Sequence, residues 1–376
     1  MTNAADENEV VMYIRDEETG LLSYPINFFT GGFGGDSILQ APPDDPLASQ
    51  DALIVSGNCL LAVNAGSNTV TSFKILIGEV SIEIASVVGS GGDIPVSIAA
   101  NGDGLVYVLN AGGPGSISGF DLEVGCRLKL IPDSTVSLNQ GPATSEGPPF
   151  FVSSPAQIGF NPPGEELIVT IKGIDGNPGS GGTINRFAVD ASTGLVSDLI
   201  VFETGTDSIV PFSFDFDGEG NLLVVDAFGS SQPGAPDAGS VTVYNFGEAA
   251  SAITVGANAV VSQTATCWIQ YYNGCAYTTN NVSSSISSLE VKNGSVSLIS
   301  SVAAELNNPI DERFSPDGRF LYVLSTGHRA EGQPSIYVYA RGDNCGLAEI
   351  QVMADGIPNE NVTVFGAVGL AVFGIV

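Results

Sequence analysis

The sequence predicts an all-β protein built from one repeating unit, and three observations lead to this class. A short pattern returns along the whole 376-residue chain. Each copy shows strands with a period of two residues, bounded by Gly, Pro, Asn and Asp. No segment keeps a helical period. Because such repeats are typical of solenoids and propellers, we expect one repeat domain that covers residues 1–376.

The unit begins with an apolar strand that ends in a small polar residue, here called the anchor. A loop follows, and then a second strand with the pattern Ser/Thr-Ile/Val-x-x-aromatic. The anchors are Asn3, Asn64, Asn110, Thr170, Asp226, Asn280 and Ser325. Their spacing averages about 54 residues, which is the length of a four-stranded propeller blade with long loops.

Seven anchors predict a seven-bladed β-propeller. A further apolar strand, the inner strand, precedes most anchors and is joined to the next strand by a tight turn such as Asp217-Gly218. The seventh blade should be closed by both chain ends, with residues 364–370 as its inner strand and residues 9–30 as its outer ones. Apolar residues that should precede Asn3 are missing, so we expect the native beginning, including a signal peptide, to be absent from this chain.

The charge excludes several classes of partner. There are 41 acidic and 11 basic side chains, which give a net charge of −30. Such a surface repels nucleic acid and anionic membranes. The apolar tail 362–376 is too short and Gly-rich for a membrane span. With glycosylation sequons at Asn281, Asn293 and Asn361, the acidity fits an extracellular or secreted protein.

The five cysteines do not form a metal-binding motif. None lies in a CxxC, and the chain has one histidine, which argues against a Cys/His zinc site. In the repeat, Cys59 is equivalent to Cys275 and Cys126 to Cys345, four blades apart in each case. Cys267 and Cys275 should lie at opposite strand ends. Because a disulfide needs Cα atoms within about 7 Å, we expect mostly free thiols.

Several segments carry a family resemblance that covers essentially the whole chain. They are TNAAD, NEVVMYIR, LAVNAGSNTVTSF, SPAQIGF, ATCWIQ and NPIDERFSPDGRFLYVLSTG. The chain resembles the secreted branch of the lactonase-type seven-bladed propellers, which include 6-phosphogluconolactonase-like proteins and carboxymuconate cyclases. The resemblance implies a lactone hydrolase or cycloisomerase acting on a small carboxylated lactone, or its ring-opened acid, at the mouth of the central channel.

The chain departs from this family at the start of its inner strands. Many lactonase-type enzymes have Pro-His there, whereas the corresponding positions here are Val96, Ala156, Phe212, Trp268 and Ile310. The missing histidines favour an alternative, a non-catalytic propeller that binds a ligand or a protein partner on the same face.

Loops before the inner strands and after the anchors share one face of a propeller, so their polar residues should meet at the channel mouth. The predicted substrate-binding residues are Lys172, Arg329, Gln157, Trp268, Ser97, Asn64 and Asn280. Lys172 and Arg329 would hold a carboxylate and stabilise an oxyanion or enolate. The alternative is ordinary salt bridging to Asp175 or Glu331.

Three residues are predicted to be catalytic: His328, Asp311 and Arg313. His328 is the only histidine, so a near-neutral base would be this residue, unless it is a solvent-exposed loop histidine. Period two places Asp311 and Arg313 on one side of an inner strand and Glu312 on the other. The alternative for them is a buried ion pair that pins two blades together.

A cofactor is not evident from any motif, but a divalent cation such as calcium would bind at Asp226 and nearby Asn side chains. Asp215-Phe216-Asp217-Gly218-Glu219 resembles part of a calcium loop, and a hairpin turn explains it. The geometry of the mouth should separate the two functions. Cations that converge on an open polar pocket favour the enzyme, and a mouth plugged by Trp268 and Phe212 favours the binding protein.

Overall fold

The computed structural model of the protein describes residues 1–35, 45–139, 153–173, 181–204, 208–229, 231, 235–246, 253–326, 334–354, 356–357 and 366–374. Within these residues the chain is an all-β propeller without an α-helix, which confirms the predicted class. Consistent with this, the described part of the chain has no helix long and apolar enough to cross a membrane.

The chain begins with a two-stranded antiparallel sheet, β1 (Glu9–Arg15) and β2 (Leu22–Phe29). The blades then follow in chain order. Blade 1 comprises β3 (Leu53–Ser56), β4 (Cys59–Asn64), β5 (Thr69–Leu76) and β6 (Ser81–Gly89). Blade 2 comprises β7 (Pro95–Ala100), β8 (Leu105–Asn110), β9 (Ser116–Glu123), β10 (Arg127–Leu130) and the short β11 (Val136–Ser137).

The remaining blades have four strands each. Blade 3 comprises β12 (Pro155–Phe160), β13 (Glu166–Ile171), β14 (Thr183–Ala188) and β15 (Ile200–Glu203). Blade 4 comprises β16 (Pro211–Phe216), β17 (Leu222–Asp226), β18 (Ser240–Phe246) and β19 (Ile253–Val260). Blade 5 comprises β20 (Thr266–Tyr272), β21 (Cys275–Asn280), β22 (Ser285–Lys292) and β23 (Ser295–Glu305). Blade 6 comprises β24 (Pro309–Phe314), β25 (Phe320–Ser325), β26 (Ser335–Arg341), a 3-10 turn (Asp343–Cys345) and β27 (Leu347–Met353).

The inner strands β7, β12, β16, β20 and β24 contact one another in this order around the central channel. Each has a register shift near its start, for example between Thr266 and Trp268, and such a bulge re-aims the side chains next to it. The second strand of each blade is an apolar run, such as LVYVLN in β8. It is buried along its whole length because neighbouring blades cover both of its faces.

Among the described residues, six complete blades are present, which corrects the prediction of seven. The chain ends do meet as expected, since Val368 N donates to Met1 O (3.0 Å) and Met1 N to Gly369 O (3.3 Å). These two bonds join segment 366–374 to the chain start, and within the described part of the chain β1 and β2 form a two-stranded sheet. Val364 and Phe365, which were expected to begin the closing strand, lie outside the described residues.

The prediction of mostly free cysteines is wrong. Disulfides join Cys59 to Cys126 and Cys275 to Cys345, with Cα atoms 5.4 and 5.6 Å apart, while Cys267 is buried and takes part in neither disulfide. Each bridge connects two neighbouring blades, blade 1 to blade 2 and blade 5 to blade 6. The repeat correctly showed that Cys59 is equivalent to Cys275 and Cys126 to Cys345. Equivalent cysteines, however, lie four blades apart and cannot pair with each other. The pairs that form are between unlike positions in adjacent blades.

Candidate functional site

The central channel has two ends with different surroundings. We call the end where the anchors lie and the inner strands begin the anchor end. The hairpin end is the opposite one, where turns join each inner strand to the second strand. In β12, β16, β20 and β24 the first four residues are buried and the residues after them are half-buried. Among the described residues, the inner strands therefore reach solvent at the hairpin end.

The anchor end is closed by residues 45–51, here called the channel segment. Its Ala48 O accepts a hydrogen bond from Lys172 Nζ, and its Ser49 O accepts one from Trp268 Nε1 (3.1 Å). Gln50 N donates to Ala156 O (3.1 Å). Because these partners belong to blades 3 and 5, the segment crosses the channel.

Two of the predicted binding residues, Lys172 and Trp268, meet beneath this segment. The Trp268 and Phe212 rings pack edge to face with centroids 5.1 Å apart, and Lys172 Nζ lies 4.7 Å from the Phe212 centroid. Burial lowers the pKa of Lys172 to about 8, although Asp45 and Cys267 nearby favour the charged form. The ammonium is buried and holds the segment, so it does not face an open pocket.

Asn64 lies at the anchor end and binds strands together. Its Oδ1 accepts hydrogen bonds from Asn8 Nδ2 (2.9 Å) and Thr30 Oγ1 (2.7 Å), and its Nδ2 donates to Thr69 Oγ1 (3.1 Å) and Thr71 Oγ1 (2.9 Å). All four hydrogen-bonding positions of the buried amide are therefore used within the protein.

Asn280 repeats this arrangement in blade 5. Its Oδ1 accepts from Thr266 Oγ1 (2.6 Å), and its Nδ2 donates to Ser285 Oγ (3.1 Å) and Ser287 Oγ (2.9 Å). Ser97, another predicted binding residue, accepts a hydrogen bond from Ile158 N at its Oγ (3.2 Å) and so links blades 2 and 3. These side chains hold neighbouring strands and blades in place.

Asp226, the predicted cation ligand, is buried in blade 4. Its Oδ1 accepts a hydrogen bond from Val210 N (3.1 Å), and its Oδ2 has no partner. Burial raises the pKa of this carboxyl well above its usual range, which favours the protonated form. Within the described ranges, no group of three or more His, Cys, Asp or Glu side chains is arranged to hold a metal ion.

A group of charged and polar side chains lies in the channel below the channel segment, and we call it the channel cluster. It comprises Asp51, Gln157, Asp215, Asp311, Glu312 and Arg313. Arg313 Nη2 is ion-paired with Asp51, and Arg313 Nη1 lies 3.4 Å from Asp311 Oδ1. Gln157 Nε2 donates to Asp51 Oδ2 (2.7 Å), and Gln157 Oε1 accepts from Phe214 N (2.6 Å). The cluster thus connects the channel segment with blades 3, 4 and 6.

Backbone amides fix two further carboxylates of the cluster. Asp215 Oδ2 accepts a hydrogen bond from Tyr271 N (2.7 Å), and its Oδ1 accepts one from Phe216 N (2.8 Å). Asp311 Oδ2 accepts from Leu370 N (2.7 Å) in the C-terminal segment. Asp215 is therefore held against blade 5, and Asp311 against the residues that close the ring.

The channel cluster contains four carboxyl groups and one cation. Burial raises the pKa of Asp215 and of Asp311 to about 6, against the opposing effect of Arg313. Burial, together with the nearby Asp311, raises the pKa of Glu312 well above its usual range. Neither oxygen of the buried Glu312 carboxyl has a hydrogen-bond partner, which fits a neutral, protonated group.

The cluster is accessible from the hairpin end. The side chains of Asp51 and Arg313 are 19% and 14% exposed, and Asp215 is half-buried, whereas Asp311 is 3% exposed. Carboxylates whose pKa values lie near neutrality, held around a guanidinium at an accessible position, can act as general bases beside an oxyanion stabiliser.

The structure brings together only some of the predicted site residues. Asp311, Arg313 and Gln157 meet in the channel cluster, where Arg313 of blade 6 is ion-paired with Asp51 of the channel segment. His328 and Arg329 lie outside the described residues, as do Asp175 and Glu331, so their roles remain predictions.

Sequence reasoning missed Asp51, Asp215 and Glu312 as members of a site. Asp51 follows a stretch without the repeat pattern, and no periodicity places it in the channel. Asp215 was interpreted as part of a turn, whereas only Asp217 bonds the turn amides, of Glu219 and Asn221 (2.8 Å each). A usable signal was period two, which separates Asp215 on the inner strand from its neighbour Phe216.

Comparisons with known proteins support the fold alone. No family model matches the chain, and no curated protein matches it. Among solved structures, the periplasmic gluconolactonase of Pseudomonas aeruginosa matches with a TM-score of 0.66 and 16% identity over 92% of each chain. A presumed 6-phosphogluconolactonase of Bacteroides fragilis matches with a TM-score of 0.63 and 16% identity over 91% of this chain and 89% of that one. A functionally unknown protein of Desulfotomaculum acetoxidans matches with a TM-score of 0.58, 16% identity and coverage of 83% and 84%.

Proposed function

We propose that the protein is a lactone hydrolase that acts at the hairpin end of the channel. The observation that carries this proposal is the channel cluster, in which four carboxyl groups surround Arg313 and two of them, those of Asp51 and Asp215, reach solvent. The gluconolactonase names of two structural neighbours support the same class of reaction. The site differs from the predicted mouth, because the channel segment covers Lys172 and Trp268 at the anchor end.

The proposed substrate is an uncharged lactone such as a sugar aldonolactone. The cluster has more carboxyl groups than cations, and the whole chain carries a net charge of −30, so an anionic substrate is repelled. A carboxylated lactone, the substrate expected from the sequence, would need the cations Lys172 and Arg329. Lys172 is buried and bonded to Ala48 O, which favours the uncharged substrate.

In the proposed reaction Asp215 is the general base. Its pKa of about 6 leaves it ionised at neutral pH yet basic enough to accept a proton. A water oxygen attacks the lactone carbonyl carbon while Asp215 takes the water proton, and Arg313 stabilises the oxyanion. When the ring C–O bond breaks, the Asp215 carboxyl returns its proton to the leaving oxygen, which becomes the hydroxyl of a hydroxy acid. Asp311, nearly fully buried, positions Arg313.

The test is hydrolysis of glucono-δ-lactone and related aldonolactones by the full chain in a pH-stat, with spontaneous hydrolysis subtracted. We expect turnover that rises with pH through about 6, as Asp215 ionises. Asp215→Asn should lower the rate by about 10²–10⁴-fold. Asp103→Asn, at an exposed hairpin turn, is the matched control and should retain full activity. Activity that survives in Asp215→Asn, in a protein that melts like the wild type, would exclude this base.

A second candidate is a non-catalytic propeller, and the closed anchor end favours it. The plug predicted for this case, Trp268 against Phe212, is present beneath the channel segment. Under this candidate no lactone is turned over at any pH, and a small molecule or protein partner binds at a propeller face. Isothermal titration calorimetry with the same lactones separates the two, because binding heat without acid release supports the binding protein.

We further propose an extracellular or secreted location. Two disulfides between blades fit an oxidising compartment, in which such bonds persist. Of the three sequons, Asn293 lies in an exposed hairpin turn, whereas Asn281 is buried. Protein from its native source should therefore lose mass on glycosidase treatment at Asn293. An unmodified Asn293 together with reduced cysteines would contradict the proposed location.

A further inference from the structure

A cavity of about 420 Å³ lies away from the channel cluster, between the two-stranded sheet, blade 1, blade 6 and the C-terminal segment. Its walls are mostly apolar and include Val10 and Met12 of β1, Leu60 and Ile75 of blade 1, and Leu324 of blade 6. The volume falls in the range of about 300–1,000 Å³ that is typical of small-molecule sites.

The rim of this cavity exposes apolar side chains to solvent. Ile77 and Val80, in the turn between β5 and β6, are 60% and 54% exposed, and Ile14 of β1 is 42% exposed. All three line the cavity. An entrance with such a rim favours an apolar molecule over a sugar, since transfer of apolar surface out of water drives its entry.

Arg15 is a cationic side chain in the wall of the cavity, and some of its hydrogen-bond donors have no partner. Arg15 lines the cavity with a side chain that is only 12% exposed. Its Nε and Nη1 are buried without a hydrogen-bond partner, and its Nη2 lies 3.7 Å from Glu17 Oε1, on a side chain that is 67% exposed. The Tyr322 hydroxyl, which also lines the cavity, lies beside the guanidinium, and Nε and Nη1 are the donors that still lack an acceptor, although buried guanidinium donors are normally bonded.

We propose that this cavity binds a long-chain carboxylic acid, with its alkyl tail among the apolar walls and its carboxylate paired with Arg15. A carboxylate matches the planar fork of a guanidinium and forms two parallel charge-assisted hydrogen bonds. The Glu17 side chain is 67% exposed and 3.7 Å from Arg15 Nη2, so little stability is lost when a ligand carboxylate replaces this contact. The proposal is independent of lactone hydrolysis, because the cavity does not include Asp51, Asp215 or Arg313.

The experiment is calorimetric titration of the full chain with dodecanoic acid and with 1-dodecanol, both below the concentrations at which they aggregate. We expect saturable binding of the acid, about 10- to 100-fold tighter than the alcohol, as a charge-assisted hydrogen-bonded pair provides. Arg15→Met should weaken acid binding to the level of the alcohol and leave alcohol binding unchanged. Arg15→Lys should retain part of the preference, because it keeps the charge but not the fork.

Arg127→Met is the matched control, since Arg127 is exposed on β10 of blade 2 and does not line the cavity. It should bind the acid like the wild type. The melting temperature of each variant, with and without dodecanoic acid, shows that the variants fold and gives a second measure of binding. The proposal is overturned if the acid does not bind, if acid and alcohol bind equally, or if a folded Arg15→Met binds the acid as tightly as the wild type.

Discussion

The two ends of the channel are built from different chemistry. At the anchor end, neutral hydrogen bonds between buried amides, hydroxyls and backbone hold the blades, as at Asn64 and Asn280, and the channel segment fills the opening. At the hairpin end, carboxylates and Arg313 line the channel and remain partly exposed. Buried neutral networks rigidify a fold, whereas excess carboxylates near solvent have perturbed pKa values and can react.

The ends also differ in covalent cross-links. Cys59 and Cys275 each begin a second strand, directly after the turn from the preceding strand, so both disulfides lie at the hairpin end. Among the described residues, no disulfide joins blades at the anchor end. The hairpin end thus combines the groups that repel each other with the bonds that prevent the blades from separating.

Removing a disulfide from the hairpin end should lower the stability of the protein more than any substitution described below. Each disulfide closes a loop of 67 or 70 residues, for which the chain-entropy model gives a stabilisation of about 4 kcal/mol. We expect Cys59→Ser with Cys126→Ser to lower the free energy of unfolding by about this amount in urea. Fluorescence of Trp268, the only tryptophan, follows the transition. Cys267→Ser, a change at the cysteine outside both disulfides, is the control. An equal loss in the control would mean that the bridges do not provide the difference.

The second-largest loss of stability should follow from removing Arg313, the cation of the channel cluster. Arg313→Met leaves Asp51, Asp215 and Asp311 without their counter-ion, which should cost about 3 kcal/mol at pH 7. The pKa of Asp215 and of Asp311 is about 6 in the folded protein, above the usual value for aspartate. Below that pH these groups take up protons and their repulsion ends.

The loss in Arg313→Met should therefore shrink when urea unfolding is repeated at pH 5. Arg319→Met removes an exposed arginine whose side chain is 53% exposed, and should change stability by less than about 1 kcal/mol at both pH values. A loss in Arg313→Met that is the same at pH 5 and pH 7 would show that packing, and not charge, is what Arg313 contributes.

The sequence predicted the residues of the anchor end better than those of the hairpin end. Strands and turns repeat every blade, so period two and DG turns located the inner strands, and the anchors Asn64 and Asn280 occur where the pattern places them. Asp51 belongs to no repeat, because it lies in a segment that enters the channel from between β2 and β3. Contacts such as Asp51–Arg313 join residues 262 positions apart, which a local pattern cannot reveal.

The same limit explains the errors in the fold. A repeat count weighs every anchor alike, so Asn3 indicated a seventh blade, whereas the residues around it form single hydrogen bonds to segment 366–374. Cysteine pairing depends on which blades are neighbours and on how far each turn reaches sideways. Neither quantity can be obtained from equivalence along the chain.

At the anchor end, burial of Lys172 should make the free energy of unfolding change with pH in the alkaline range. Its pKa is about 8 when folded and near 10.5 when unfolded, so between these values the unfolded chain binds more protons and stability rises with pH. We expect Lys172→Met to remove a rise of about 2 kcal/mol between pH 8 and pH 10, measured by urea unfolding. A Cys267→Ala background removes the titration of the nearby thiol. Exposed Lys74→Met is the control and should keep the wild-type slope. An unchanged slope in Lys172→Met would contradict burial of the charged ammonium.

The smallest expected effect tests how firmly the channel segment is held. Ser49 Oγ donates a hydrogen bond to Val96 O (2.8 Å), so Ser49→Ala removes one bond between the segment and blade 2. Unfolding in urea should show a loss of about 1 kcal/mol, the net contribution of one such bond, with the Trp268 emission maximum unchanged. Ser297→Ala, at an exposed position of β23, should lose nothing measurable. A red shift of Trp268 emission in folded Ser49→Ala would mean that this single bond keeps the segment in the channel. The anchor end would then be a closure that opens easily, and the contrast between the two ends would narrow.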